Sequence, residues 1–374
     1  MSYPQFDRRQ LKVQPLRSRR NKLCIERDHV KPDAAPEGLS PEACAVVEET
    51  AQRVVQSRRA GRPVILAFGA HTIKNGLAPV LIRLMEKGWV THLATNGAGI
   101  IHDWEFSYLG ESGEDVRANV HEGTFGIWEE TGRYLNLALI AGAWGGMGYG
   151  ESVGCMIERE GLAVPALREL EAAVQEGLRK PGAEDRAAAA MDWLGMIRAL
   201  DLKPGMMAIP HPWKRFSVQA AAYRLRIPFT GHPMIGHDII YNHPVNHGAA
   251  IGRTALRDFL AYARSVQELD GGVYLSVGSA VMSPMIFEKA LSMAQNLHLQ
   301  AGRRIENHFI AVVDLAESSW DWTAKGEPPM DNPAYYLRYC KTFSRMGGTM
   351  RYASADNRDF LLALLQKLQR QTPS

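Results

Sequence analysis

The stretch RPVILAFGAHTIKNGLAPVLIRLMEKGWVTHLATNGAG, residues 62–99, decides the fold. RPVILAFGA (62–70) is a short, unbroken apolar run closed by a glycine, the pattern of a strand buried on both faces. KNGLAPVLIRLMEKG (74–88) continues with apolar residues at helical spacing, and WVTHLATNGAG (89–99) is a second buried strand ending in a glycine turn. Parallel strands need a crossover between them, and a helix of this length supplies one, so the stretch predicts a βαβ unit.

The same grammar returns downstream. MMAIPHP (206–212), RIPFTGHP (226–233), GGVYLSVGSA (271–280) and HFIAVVDLA (308–316) each read as a strand that finishes in a polar or glycine-containing loop. Helical patterns over 248–269 and 283–297 lie between them, and the alanine-rich 184–200 is a good helix former. Upstream, Ser40, Pro41 and Glu42 open another helix, with serine as N-cap, proline at the first helical position and an acid in the first turn. Such alternation excludes all-β and bundle folds. The expected fold is α/β: a doubly wound, mostly parallel, Rossmann-like sheet forming a single domain over 41–374. Ahead of it, 1–40 reads as an extended arm rich in proline and basic residues.

Composition bounds the partners. Across 374 residues the formal net charge is +3, with 46% hydrophobic and 22% charged residues, too near neutrality to imply nucleic acid or an anionic membrane. The exception is the run Arg8, Arg9, Lys12, Arg17, Arg19, Arg20 and Lys22, read as a solvated arm or subunit contact. Cys24, Cys44, Cys155 and Cys340 are scattered without a CxxC pair, which fits a reduced, cytoplasmic protein. No apolar run approaches the roughly 20 residues of a membrane span, and the first residues lack the apolar core of a signal peptide.

In doubly wound sheets ligands bind beyond the carboxyl ends of the strands. Four loops fall there: Gly69 to Gly76, Asn96 to Glu105, Thr230 to His247, and Gly278 to Pro284. Glycine lets backbone N–H groups approach a phosphate, and a following helix N-terminus favours negative charge, so four such loops on one edge point to a nucleotide-sized ligand. GAWGGMGYG (142–150) imitates a glycine fingerprint, but the preceding residues have helical spacing and the G-x-G-x-x-G pattern is absent, so it reads as a helix-to-helix connection.

These loops carry a resemblance. GAHTIKNG (69–76), then LATNGAGIIHDWEFSYLGE (93–111), GHDIIYN (236–242) and GGVYLSVGSAV (271–281) resemble segments of the deoxyhypusine synthase family, and RYCKTFSRMGGTMRYASAD (338–356) is similar to its lysine-bearing segment. The resemblance is distant and spans roughly residues 60 to 365. It implies an NAD cofactor held by Ala70, His71, Thr72, Asn75, Asn96, Gly97, Ala98 and Asp103. It also implies an amine substrate anchored by Asp238, a covalent imine on Lys341, a protein as a possible acceptor, and a homotetramer. The chain departs from the family at several points. Tyr339 and Cys340 replace the Trp-Gly before the lysine, Ile101 and His102 stand where the family has acids, and Met282-Ser283-Pro284 replaces a His-His pair. These departures bear on polyamine specificity more than on NAD.

The chemistry also follows from residue types. A nucleophilic Lys341 must be partly deprotonated, which needs burial or a cationic neighbour such as Arg338 or Arg345. NAD would oxidise an amine to an imine, the lysine would capture the carbon fragment, and reduction would complete an aminoalkyl transfer. Trp320 with Asp321 suits a cationic amine by cation–π contact, and Asp314 adds acidic capacity on the same edge. His232, His237, Asp238, His243 and His247 are dense enough to suggest a metal, but Pro233, Gly236 and Pro244 break any rigid ligand platform. His237 therefore reads as a proton shuttle beside Asp238, with no metal expected. A metal-dependent hydrolase using the 232–247 loop and a non-catalytic nucleotide-binding protein are the alternatives.

Overall fold

The computed structural model describes residues 3–371. Six strands, β1 (Val64–Phe68), β2 (His92–Asn96), β3 (Phe229–His232), β4 (Val273–Val277), β5 (Phe309–Asp314) and β6 (Thr349–Ser354), form one sheet in the order β3-β2-β1-β4-β5-β6. Every neighbouring pair is parallel. The chain builds outward from β1 in one direction and then from β4 in the other, the doubly wound, Rossmann-like plan. The course reverses between β1 and β4, and the crevice there is where such sheets hold ligands.

Burial follows strand period. Val64, Leu66 and Phe68 of β1 pack with α1 (Pro41–Arg59) and the helices on its face, whereas Ile65 and Ala67 face the opposite layer. That opposite layer is made by α5 (Gly248–Gln267), α6 (Met282–Gln300) and α7 (Arg338–Ser344). The first layer includes α3 (Ala78–Glu86), α4 (Gly97–Leu109) and α8 (Asn357–Gln371). Between β2 and β3 the crossover swells into a helical insert containing helices Glu129–Gly145, Tyr149–Arg159, Leu167–Gly177, Glu184–Leu200 and Val218–Leu225. The glycine-rich 142–150 does connect two helices there.

Four expectations need correction. The pattern over 74–88 is not one helix: α2 (Ala70–Lys74) ends before Gly76, whose φ of +75° requires glycine, and α3 starts afresh at Ala78. MMAIPHP contributes Gly205–Ala208, which lies outside the main sheet and pairs antiparallel with Gly161–Val164. Met206 is 60% exposed there, so the run lacks the burial that a central parallel strand needs. A sixth strand, Thr349–Ser354, completes the sheet; its mixed sequence TMRYAS suits an edge, where one side stays partly wet.

The arm is the fourth. Rather than extending away, it closes on its own chain. Leu16, Arg19, Ile25 and Val30 are buried, Leu23–Cys24 pairs with Glu111–Ser112, and the Asp28 carbonyl sits so near Gly76 that a β-carbon there would lie 1.9 Å from it. Leu16, Ile25 and Val30 find their core at home, whereas Tyr3 and Phe6 stay exposed. Among the described residues no helix is long and apolar enough to cross a membrane.

Candidate functional site

Two cavities open at the carboxyl edge of the sheet, on either side of the short helix α2. The first, about 180 Å³, is lined by Arg19, Lys74, Ala98, His102, Glu105, His237 and Asp238 among others. The second, about 200 Å³, is lined by His71, Asn75, Gly278, Val313, Asp314 and Asn357 among others. His71 and Lys74 share one turn of α2 and face different cavities, so this helix is the partition between them.

Asp238 is the centre of the first cavity. It is 8% exposed, and its Oδ2 is buried without a hydrogen-bond partner. Gly97, the first residue of α4, lies under it: a β-carbon there would come 2.1 Å from Oδ2. Burial pushes the Asp238 carboxyl up to about 7, so it changes charge near neutrality. His102 stands beside it with Nδ1 2.8 Å from the Ser112 hydroxyl, and burial lowers its ring to about 4, keeping it neutral.

The floor of this cavity is an ion pair that joins the arm to α4. Glu105 accepts from Arg19, from the Ser112 hydroxyl at 2.6 Å and from the Thr131 hydroxyl at 3.1 Å. Burial alone would raise its carboxyl, but the Arg19 guanidinium and these donors hold it below its ordinary range. Glu114 is similarly occupied, accepting from Asn119, the Gly126 N–H and the Trp128 indole. Lys74 has no carboxylate partner among the described residues.

In the second cavity Asn357, at the start of α8, ties the loops together. It accepts from the Asn75 amide at 2.8 Å and donates to the Thr72 hydroxyl at 3.2 Å. At the switch point itself a β-carbon on Gly69 would come 2.0 Å from the Gly278 carbonyl oxygen, so the loops after β1 and β4 touch. Asp314 accepts from the Ala316 N–H through Oδ1 alone.

The sequence-predicted residues therefore divide. His71, Asn75 and Asp314 line one cavity, and Ala98, His237 and Asp238 the other, with Gly97 beneath. Ala70 opens α2, Thr72 is wholly buried behind it, and Asn96 caps α4 by accepting from the Gly99 N–H at 2.9 Å. Asp103 is buried among Ser217, Val218 and Gln219, from which its carboxylate accepts four hydrogen bonds that start the helix Val218–Leu225.

Trp320, Asp321 and Lys341 line neither cavity. Lys325 of the same loop already occupies the Trp320 face at 5.1 Å, and the Asp321 carboxylate is turned to the Thr323 and Ala324 N–H groups. The Lys341 ammonium rests 3.5 Å from the centre of the Tyr335 ring. Asp238 follows β3 and Lys341 precedes β6, the two outermost strands. At about 4.8 Å per strand step, roughly 24 Å of sheet separates those edges within one chain.

The histidines do not converge. His232 meets the Thr230 hydroxyl, His243 meets Glu129, and His247 caps α5 near Asp192. Among the described residues no three His, Cys, Asp or Glu side chains gather as a metal site would require. Reasoning from sequence missed Arg19, Lys74 and Asn357. A basic arm gives no sign of which arginine is buried, and Asn357 becomes visible only once β6 is recognised as a strand.

No protein-family model matches the chain, and no curated protein does. Among solved structures the chain is similar to AgrE in its ternary complex with ornithine and NAD+, at 17% identity and a TM-score of 0.45. The match covers 90% of this chain and 34% of AgrE, so the chain spans about a third of that protein's length. It is similar to a LOR/SDH protein of Methanococcus maripaludis S2, at 12% identity and a TM-score of 0.43, covering 91% of this chain and 74% of that one. It is also similar to a candidate deoxyhypusine synthase from Entamoeba histolytica, at 10% identity and a TM-score of 0.39, covering 87% and 90%. None of these similarities is close enough to assign a reaction.

Proposed function

We propose that the chain is an enzyme that uses NAD to oxidise a small amine. The observation that carries this reading is the Asp238 carboxylate: buried, unpartnered at Oδ2, poised near neutrality, and placed at the carboxyl edge of a doubly wound sheet. An orphaned carboxyl in a native cavity is costly, and an ammonium is the partner that would satisfy it.

The residues present suit a dinucleotide in part. Gly278 lines the second cavity with its N–H already given to the Val313 carbonyl, so the group there that is free for a ligand is Asp314, which keeps one oxygen without a protein donor, as a ribose hydroxyl requires. Neither cavity alone matches the roughly 300–1,000 Å³ of a cofactor site, so the ligand would have to cross α2 and use both. The departure is equally clear: no G-x-G-x-x-G follows β1, and Asn96 rather than an acid ends β2.

When bound, NAD supplies a hydride acceptor. The ionised Asp238 would hold the substrate ammonium and take its proton, while His102, kept neutral, would avoid repelling the cation. Capture of the oxidised fragment by Lys341, implied by the resemblance to deoxyhypusine synthases, is left out of this reading because one chain sets Lys341 at the opposite sheet edge. A Lys341 could meet Asp238 only from a neighbouring copy, as in the tetramer which that resemblance implies.

Calorimetric titration with NAD, followed by a screen of diamines, polyamines and amino acids for NADH absorbance, tests the reading. NAD binding and amine-dependent NADH formation that disappears in Asp238→Asn are expected. A folded protein that binds no NAD ends it.

A further inference from the structure

The face of the sheet turned toward α5 contains a line of polar groups that the proposed site does not use. The Ser265 hydroxyl lies 2.8 Å from Nδ1 of His92, Nε2 of His92 lies 3.0 Å from the Thr230 hydroxyl, and that hydroxyl lies 2.9 Å from Nε2 of His232. His92 is 0% exposed, Thr230 2% and His232 8%, whereas Ser265 is only half buried. Tyr262 packs edge-on against both imidazoles, at 5.7 and 5.3 Å, and spends its own hydroxyl on Tyr274. His232 is the last residue of β3 and pairs in register with Asn96, so the line ends at the carboxyl edge of the sheet. Its Nδ1 has no protein partner among the described residues.

Burial lowers both rings to about 3, so each is neutral, with one protonated and one bare nitrogen. The Thr230 hydroxyl has a single proton. Its other contact, to the Leu93 carbonyl, is the longest of the set at 3.4 Å, so the proton goes to one of the imidazoles. That ring must be bare at Nε2, and the other must donate from Nε2. The two histidines are therefore opposed tautomers joined through one hydroxyl.

We infer that His92, Thr230 and His232 form a proton relay between Ser265 and the carboxyl edge of β3. A proton taken up at one end shifts each hydrogen bond by one place and leaves at the other, without either imidazole having to stay charged. The use of the relay rests on the proposed amine oxidation. There an alkylammonium ion and NAD+ give an iminium ion, NADH and one proton. The C–H bond next to nitrogen breaks as its hydride passes to NAD+, one N–H bond breaks to release the proton, and its electron pair forms the C=N double bond. Asp238, having taken that proton, must lose it before the next turnover, and the relay offers it a path away from the carboxyl edge. The Thr230 hydroxyl accepts a proton from one imidazole and gives its own to the other, so it is a carrier together with the two histidines.

The test is long-range 1H–15N correlation spectroscopy on protein labelled with 15N-histidine, at pH 7, for the parent, Thr230→Ser and Thr230→Val. The two rings are recognised as those whose signals move in Thr230→Val. One ring protonated at Nδ1 and the other at Nε2 is expected in the parent and in Thr230→Ser, with the opposition lost in Thr230→Val. Two rings of the same tautomer in the parent, or a stable imidazolium, overturns the relay. Once an amine that yields NADH is found, Thr230→Val should slow turnover on the order of 100-fold, the low end for losing a proton-transfer group, and Thr230→Ser should restore it. An unchanged rate in Thr230→Val also overturns the relay. Opposed tautomers in a protein that binds no NAD would keep the hydrogen-bonded line and end only the oxidation reading.

Discussion

Arg19 and Glu105 meet fork to fork, at 2.7 and 2.8 Å, with both side chains 1% exposed. Removing one partner of such a pair strands a charge in the interior, so Arg19→Ala should cost about 3–5 kcal/mol. Replacing both, as Arg19→Met with Glu105→Leu, should recover most of that loss. Urea unfolding of the three proteins measures it. A single-variant loss below about 1 kcal/mol would mean that the pair behaves as a surface ion pair.

Gly97 leaves no room for a side chain under Asp238. Gly97→Ala should destabilise by about 1–3 kcal/mol through overpacking and should displace the 237–239 segment. Adding Asp238→Gly should restore the melting temperature but not NADH formation, a split that simple steric damage would not produce.

The buried Asp238 carboxyl, raised to about 7, predicts a turnover that climbs with pH through neutrality in the parent and is absent at every pH in Asp238→Asn. Stability should move the other way. Between the unfolded value, about 3.9, and 7 the folded state retains a proton that the unfolded chain has released, so the protein loses stability as pH rises across that window. Asp238→Asn should therefore match the parent near pH 4 and exceed it by about 1–3 kcal/mol at pH 8. Asp258, also raised to about 7 by burial, keeps part of the slope in the variant. Melting temperatures of parent and variant that keep a constant difference from pH 4 to pH 8 would show that Asp238 is already paired.

Asp314→Ala should weaken NAD by about tenfold, roughly 1.4 kcal/mol, if that carboxylate receives a ribose hydroxyl. Asn357→Ala should do similar harm by freeing Thr72 and Asn75. Calorimetry on both variants, each checked for a parental melting curve, decides whether the second cavity belongs to the cofactor.

Lys341→Arg keeps a cation over the Tyr335 ring and should leave amine-dependent NADH formation unchanged. A tenfold fall would instead place this lysine at the reaction, supplied by another copy of the chain.

The doubly wound sheet was legible because β1, β2, β4 and β5 are compact apolar runs ended by glycine or a polar residue. β6 was not, since Arg351 and Tyr352 give an edge strand no uninterrupted apolar signal. Asp238 could be found in its glycine-containing loop, and the loops after β1 and β2 fell on the right edge. Depth was what the sequence concealed. Asp103, which the resemblance gave to NAD, starts a helix instead, and Arg19 looked like one of a solvated cluster and closes the cavity floor. Trp320 with Asp321 had the chemistry of a cation trap, but the loop's own Lys325 fills it.

β2 and β3 are hydrogen-bonded neighbours, yet residues 97–228 intervene between them. Closing so long a loop costs entropy before any strand contact offsets it, which makes this pairing a slow step compared with the local contacts of the insert's helices. The edge strand is then among the last pieces of the sheet to dock, and the Asp238 cavity and the His92–Thr230–His232 line exist only after it does. A refolding chain should regain most of its helical signal while it is still unable to bind a ligand.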